Sequence, residues 1–348
     1  MNNKKLLIWA SDLSLNTGEG ILSRAFLAEI KKKKQYEKIK IKTFENTFQV
    51  DNFDINKIQF QSNEVNKKNI WHKYFGPIYG AIYLRFFSAK YDIMFLNYLP
   101  FWNFLIFLIL PRKTILGPIT GGLYTGRCDN FNLVIRKYFF PIFYNICKII
   151  IYIKFKKIIF STSILKNYLK TNKLFLYDFV TILFNKKVNN KKKKYDIIFY
   201  NRNHAAKHSN NVKKMIISLS KCCKICVIGD NFKLTNIKNF GWIDRKEVFQ
   251  LIQQSKIAFN SSENFLSIFG IDCVNYGVPV ISDSNIFAQA EFKNKFYIKL
   301  DLNNFKKSYD EILNLIKKKK IEQNTGYWKN IFFKKKKIRN FLCLYLLR

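Results

Sequence analysis

Two groups of residues carry chemistry by type and spacing. In the first, eight residues separate Glu263 from Asp272, and the stretch between them reads as a loop running into a helix near Ser267. A carboxylate accepts two hydrogen bonds at once and so suits paired sugar hydroxyls. The free amides of a helix start face an anion. In the second, Arg202 and Lys207 lie five residues apart, directly after the strand-like run Asp196–Tyr200. Two fixed cations there stabilise the charge that builds on a departing diphosphate, with no metal required. Glycines mark two further loops. Gly18-Glu19-Gly20 follows the first strand-like run and opens a helix. Such glycines let backbone amides approach a ligand, and they equally suit a plain strand-to-helix turn. Ser23 stands where the third glycine of the dinucleotide fingerprint would be. Gly117-Pro118-Ile119-Thr120-Gly121-Gly122 is the second loop, with Gly121 and Gly122 as candidates to line a site.

These residues need elements to hold them. Short apolar runs alternate with helix-like stretches along the chain. In the first half the runs are Leu6–Ala10, Ile39–Phe44, Asp92–Asn97, Thr114–Pro118 and Lys157–Ser161. Nearly continuous apolar strands predict a parallel sheet covered on both faces. The segment Asn185–Lys194 is Asn and Lys apart from Val188, the composition of a linker. The pattern then restarts with Asp196–Tyr200, Lys224–Gly229, Lys256–Asn260 and Val278–Ser282, and helices are expected at Asn211–Ser220, Arg245–Gln254 and Ser267–Tyr276. The expected organisation is α/β, with two Rossmann-like domains facing across a cleft. They are a first domain over 1–184, a linker over 185–194, a second domain over 195–325, and a basic helix over 326–348 that packs back on the first domain. Ligands of such sheets sit at the carboxyl ends of the strands.

The string from Phe240 to Ile281 is the most specific part of the sequence. A helix, a strand, the Glu263 loop, a second helix and Gly277-Val278-Pro279-Val280-Ile281 entering another strand resemble the nucleotide-sugar domain of the GT-B glycosyltransferases, in particular the large retaining family 4. In that family two acids seven residues apart bracket the loop. The first faces the donor sugar and the second holds the ribose hydroxyls, so the resemblance assigns these roles to Glu263 and Asp272. The second acid here is Asp instead of Glu, and the spacing is longer by one. The family's Gly-Arg-x-x-x-x-Lys-Gly loop is matched by Arg202 and Lys207, with Asn201 and His208 in place of the glycines. His204 reads as a surface-loop histidine. Asn264, Phe265 and Gly229 join Gly18, Gly20, Arg202, Lys207, Glu263 and Asp272 as donor-side candidates. Gly121 and Gly122 belong on the acceptor side, Glu263, Arg202 and Lys207 are the catalytic candidates, and no metal ligand is expected. The resemblance also implies an acceptor-binding role for the domain over 1–184 and a nucleotide-sugar-binding role for that over 195–325. It implies a retaining, metal-independent transferase in which the leaving phosphate helps deprotonate the acceptor. The nucleotide-sugar is then a substrate, and no cofactor is expected.

Composition bounds the remaining readings. The 348 residues carry a formal charge of +38, with 48% hydrophobic and 17% aromatic residues. That is enough apolar material for two cores. Lys, Asn, Ile and Phe run high together, as biased codons would give, so runs such as Lys31–Lys34 and Lys191–Lys194 read as solvated faces. The same charge also suits an anionic partner. Phe131–Lys173 is basic, aromatic and free of acids, as is Ile331–Arg348, and both suit anionic headgroups. Phe101–Leu110 and Ile142–Ile153 read as buried or interfacial, and no run reaches the length that spans a bilayer. The seven cysteines form no ladder, and Cys223-Lys224-Ile225-Cys226 reads as buried strand in a reducing compartment. The expected protein is cytoplasmic and peripheral to a bacterial inner membrane, with a nucleotide-sugar donor and a glycan or lipid-linked acceptor in surface polysaccharide or lipopolysaccharide synthesis. Two alternatives stand beside it: a basic nucleic-acid-binding protein and an inactive GT-B scaffold. The aromatics fall in apolar runs instead of an exposed stacking platform and no recognition motif is present, which counts against nucleic acid.

Overall fold

The computed structural model describes residues 5–15, 17–32, 36–44, 46–49, 75–100, 102–120, 134–135, 138–160, 175–176, 182–187, 191–202, 210–260, 267–283, 296–317, 329–330 and 332–337. The chain divides into two compact units. Unit 1 comprises Met1–Ile182 and Phe333–Arg348, and unit 2 comprises Leu183–Phe332.

Unit 1 is built on a seven-stranded sheet: β1 (Lys5–Ala10), β2 (Lys38–Lys42), β3 (Thr47–Gln49), β4 (Asp92–Pro100), β5 (Ile115–Thr120), β6 (Ile158–Phe160) and β7 (Phe175–Leu176), in the order β3-β2-β1-β4-β5-β6-β7. All neighbours are parallel except the β2–β3 pair. β1 was legible because it is covered on both faces, so nearly every position is apolar, whereas β2 alternates Lys and Ile. Leu6 to Ala10 are all buried. The helices α1 (Gly18–Lys32), α2 (Gly76–Phe87), α3 (Phe104–Ile109) and α4 (Phe140–Lys154) connect them. Trp9, Phe95, Phe107, Phe155 and Phe160 fill the core under α2, α3 and α4.

Unit 2 holds six strands, β8 (Tyr195–Asn201), β9 (Ile225–Gly229), β10 (Ile237–Asn239), β11 (Ser255–Phe259), β12 (Val280–Asp283) and β13 (Tyr297–Leu300). Their order is β10-β9-β8-β11-β12-β13 and every pair is parallel. Helices α5 (Asn210–Leu219), α6 (Arg245–Gln253), α7 (Ile268–Asn275) and α8 (Phe305–Lys317) complete it. The chain reverses direction across the sheet between β8 and β11, the switch point where doubly wound sheets open a crevice.

The structure departs from the sequence reading in particular places. The short strands β3, β7, β10 and β13 are absent from the sequence reading. The strand expected to stop at Pro118 continues to Thr120. The first residues of the segment read as a linker are hydrogen-bonded to unit 2. Asn185 N donates to Asn275 Oδ1 at 2.7 Å, Lys187 N donates to the Asn275 carbonyl at 2.8 Å, and Asn275 Nδ2 donates to the Leu183 carbonyl at 3.0 Å. Asn275 is buried, so its amide has to find partners, and the passing chain supplies them.

Candidate functional site

Among the described candidates of unit 2, Arg202 follows β8, Gly229 ends β9, and Asp272 lies in the helix after β11. β8 ends at buried Asn201, whose side-chain amide donates to the Asp230 carbonyl at 2.8 Å, while Asp230 N donates back to the Asn201 carbonyl at 3.0 Å. Gly229 makes this closure. Its φ is +90°, and a Cβ there would stand 2.3 Å from the Asn201 carbonyl oxygen. Gly229 is therefore required by the backbone, which is a different duty from contacting a ligand. The closure leaves Arg202 as the first residue past β8. Burial pushes the neighbouring Tyr200 hydroxyl above its ordinary pKa, and the Arg202 charge pulls against that shift. Lys207 lies outside the described residues.

On the other side of the switch point, β11 runs into Asn260, which is buried. Ser267 donates its hydroxyl to Asn260 Oδ1 at 2.8 Å and accepts from Gly270 N at 3.0 Å, so one side chain both caps α7 and fastens it to the strand end. The loop between them, with Glu263, Asn264 and Phe265, lies outside the described residues. Asp272 sits one turn into α7 and is buried. Arg245 Nη2 donates to both of its oxygens at 2.9 Å. Burial pushes the Asp272 carboxyl above the usual carboxylate range, and Arg245, then Lys187, pull it back. Lys187 stacks over Phe249 and Tyr276, 4.4 and 4.7 Å from the ring centroids. Each carboxylate oxygen keeps lone pairs beyond those given to Arg245, so the pair can accept further hydroxyl donors.

Sequence reasoning missed Arg245 and Trp242. Arg245 is the first residue of α6, where the helix dipole disfavours a cation. That misplacement was the available signal, and Asp272 is its explanation. Trp242 is 67% exposed although its indole is held, with Nε1 donating to Asp230 Oδ1 at 3.0 Å. It meets Tyr200 edge-on at 6.3 Å, and Tyr200 packs on Phe269 at 5.4 Å. An aromatic face is thus fixed open beside the strand end that delivers Arg202.

In unit 1 the loop after β1 is knotted about buried Asp12. Its Oδ1 accepts from Ser14 N at 2.7 Å and its Oδ2 from the Thr17 hydroxyl at 2.5 Å. Thr17 Oγ1 in turn accepts from Gly20 N at 3.0 Å, and Arg24 Nε donates to the Leu13 carbonyl. A Cβ on Gly20 would stand 2.1 Å from the Ser14 carbonyl oxygen. The Gly20 amide is thus engaged by the cap, and its missing side chain admits the loop backbone. Gly18 stays exposed at the helix start. Gly121 and Gly122 lie outside the described residues.

No protein-family model and no curated protein matches the sequence. Solved structures match along its whole length. Sucrose-phosphate synthase from Thermosynechococcus elongatus is 12% identical, over 99% of this chain and 96% of that one, with a TM-score of 0.57. The UDP-GlcNAc 2-epimerase of Methanocaldococcus jannaschii, solved with UDP-GlcNAc and UDP, is 12% identical over 98% and 99%, with a TM-score of 0.53. HepE of Anabaena, solved with UDP and glucose, is 10% identical over 97% and 95%, with a TM-score of 0.52. The fold is of the GT-B class, two α/β units on parallel sheets. Within that class the likeness to a synthase and to an epimerase alike is a likeness of fold.

Proposed function

We propose that the chain is a glycosyltransferase moving a sugar from a nucleotide-sugar donor to a glycan or lipid-linked acceptor, in bacterial surface polysaccharide or lipopolysaccharide synthesis. One observation carries the reading. The β8–β11 switch point of unit 2 brings to one sheet edge a cation behind β8, a capped helix start behind β11, a buried carboxylate in that helix and an open tryptophan face. These parts suit a diphosphate, a ribose and a base in turn. Arg202 and Lys207 take the diphosphate, Asp272 the ribose hydroxyls, Trp242 the base and Glu263 the donor sugar. Asn264 and Phe265 complete the donor loop, and Gly121 and Gly122 line the acceptor side. The bond from the anomeric carbon to the phosphate oxygen breaks, and a bond to the acceptor oxygen forms on the same face. The departing phosphate oxygen takes the acceptor proton, so no metal enters. The chain works in the cytoplasm against the inner membrane.

Titration calorimetry with UDP, the nucleotide in two of the matched structures, and with UDP-sugars tests this reading. Arg202→Ala and Asp272→Asn are expected to weaken the bare nucleotide, whereas Glu263→Gln spares it and impairs the sugar-bearing donor. A parent chain that binds no nucleoside diphosphate, with or without sugar, ends the reading.

A further inference from the structure

Helices α2 and α4 are apolar on both sides. In α4, Tyr144, Cys147 and Ile151 point into the core, yet Ile142, Ile146, Ile149 and Ile153 form a stripe on the opposite face and are 59%, 39%, 60% and 67% exposed. Helix α2 repeats the arrangement. Gly80, Ala81 and Leu84 are buried, while Phe75, Tyr79, Ile82 and Phe86, at the same spacing of four, three and four, are exposed, Phe86 by 80%. Between them α3 exposes Leu105 and Leu108. α3 packs against both neighbours, so the stripes belong to one face. Biased codons do not account for it, because they act on both units. Helices α5 to α8 of unit 2 expose only Ile217 and Phe305 among their large apolar side chains. An apolar area of this kind marks a docking surface.

The charges beside it say what docks. Residues 75–91, 102–115 and 138–160 contain no Asp or Glu. Arg85 Nη1 donates to the Ile109 carbonyl at 3.1 Å, and Lys154 Nζ donates to the Phe107 carbonyl at 3.1 Å and to the Leu108 carbonyl. Both cations are thereby drawn to the end of α3. Just past the last turns of these helices, a recess of about 520 Å³ is lined by Lys5, Lys90, Arg112, Lys113, Lys156 and Lys157. Its one acid, Asp92, is hydrogen-bonded by Tyr36. Thr114, also in its wall and 1% exposed, keeps a hydroxyl with no partner among the described residues. A second copy of the chain, docked face to face, would set cations against cations. A bilayer with anionic headgroups satisfies both parts.

We propose that the outer face of α2, α3 and α4, with the basic recess at their carboxyl ends, docks unit 1 on an anionic membrane. The apolar stripes enter the headgroup boundary and the recess takes lipid phosphate. This rests on the peripheral-membrane part of the reading above and places the contact on three helices. The recess lies where β4 and β5 begin, the sheet edge opposite to the one where ligands of such sheets bind.

Flotation of the full chain with vesicles of phosphatidylcholine, with and without phosphatidylglycerol, tests it. Binding is expected only with the anionic lipid, and to weaken between about 0.1 M and 1 M salt as the screening length falls from about 10 Å to about 3 Å. Arg112→Ala and Lys156→Ala, both at exposed positions, are each expected to lower partitioning by about fivefold. The pair Phe86→Ser with Ile149→Ser removes most of the remainder. Equal binding to both vesicles, or variants that bind like the parent, overturns the proposal. So does an absence of vesicle binding together with dimers in sedimentation, which gives the face to a second copy. UDP titration of the same variants serves as the control. Retained nucleotide binding shows a folded unit 2, and its absence in the parent bears on the transferase reading alone.

Discussion

The two units share one architecture and spend their apolar residues differently. Unit 2 hides them. Its strands and inward helix faces make one core, and the outer faces of its helices carry Lys, Asn, Gln and acids such as Glu247, Asp310 and Glu311. Unit 1 builds a comparable core and then repeats apolar stripes on the outside of α2 and α4. Burial of apolar area stabilises a fold only where water is removed. The inner stripes therefore hold unit 1 together, and the outer ones are held in reserve for another surface. Unit 2 concentrates its specificity in polar closures instead: the Asn201–Asp230 exchange, the Ser267 cap and the Arg245–Asp272 pair.

The sharpest way to break this comparison is alkali. Burial pushes the thiols of Cys147 in unit 1 and of Cys223 and Cys226 in unit 2 up to about 12, and that of Cys273 well above its ordinary value. Above pH 9 the unfolded chain loses these protons while the folded chain keeps them. Stability is thus full below about pH 9 and falls as pH rises toward about 12, by up to about 4 kcal/mol for a fully buried thiol. Unit 2 should melt first in a pH series of denaturant curves, and Cys226→Ala should flatten the slope. Next in size, Arg245→Met strands a buried carboxylate and is expected to cost about 3–5 kcal/mol at neutral pH, with part recovered by adding Asp272→Asn. In unit 1, Ile151→Ala on the inner face of α4 should cost about 2–5 kcal/mol in urea denaturation. Arg202→Ala should leave folding unchanged and weaken nucleoside diphosphate binding about ten- to a hundredfold in calorimetry, the loss of one charge-assisted contact of about 1.5–3 kcal/mol. The smallest effect completes the test. Ile149→Ala, two residues from Ile151 and on the outer face, should stay within about 0.5 kcal/mol of the parent in the same denaturation experiment. Equal costs at 149 and 151 would merge the two faces and remove the contrast between the units.

The central strands were readable because two-sided burial leaves almost no choice of residue, as in Leu6–Ala10, whereas the short parallel strands β7, β10 and β13 were not. The helix boundaries of α6 and α7 were readable to within a residue from their apolar periodicity. The faces of α4 were not. In Phe140–Lys154 apolar residues occupy so many positions that periodicity cannot say which stripe turns inward. Only packing against α3 decides it. Asp272 was legible as a chemical residue from its place before Gly277-Val278-Pro279, but its partner, 27 positions away in Arg245, was not. Such pairs are made by the fold and leave no local spacing. Gly20 and Gly229 also have a backbone duty that the sequence does not announce. Their missing side chains make room for the backbone of Ser14 and Asn201.

Asn275 has a mechanical consequence. Its side chain and carbonyl fasten the strip 183–187 to α7, the helix that carries Asp272. What composition presents as slack rope is moored at its far end. Losing the Asn275 amide would cast off that strip and slacken the helix that holds the carboxylate.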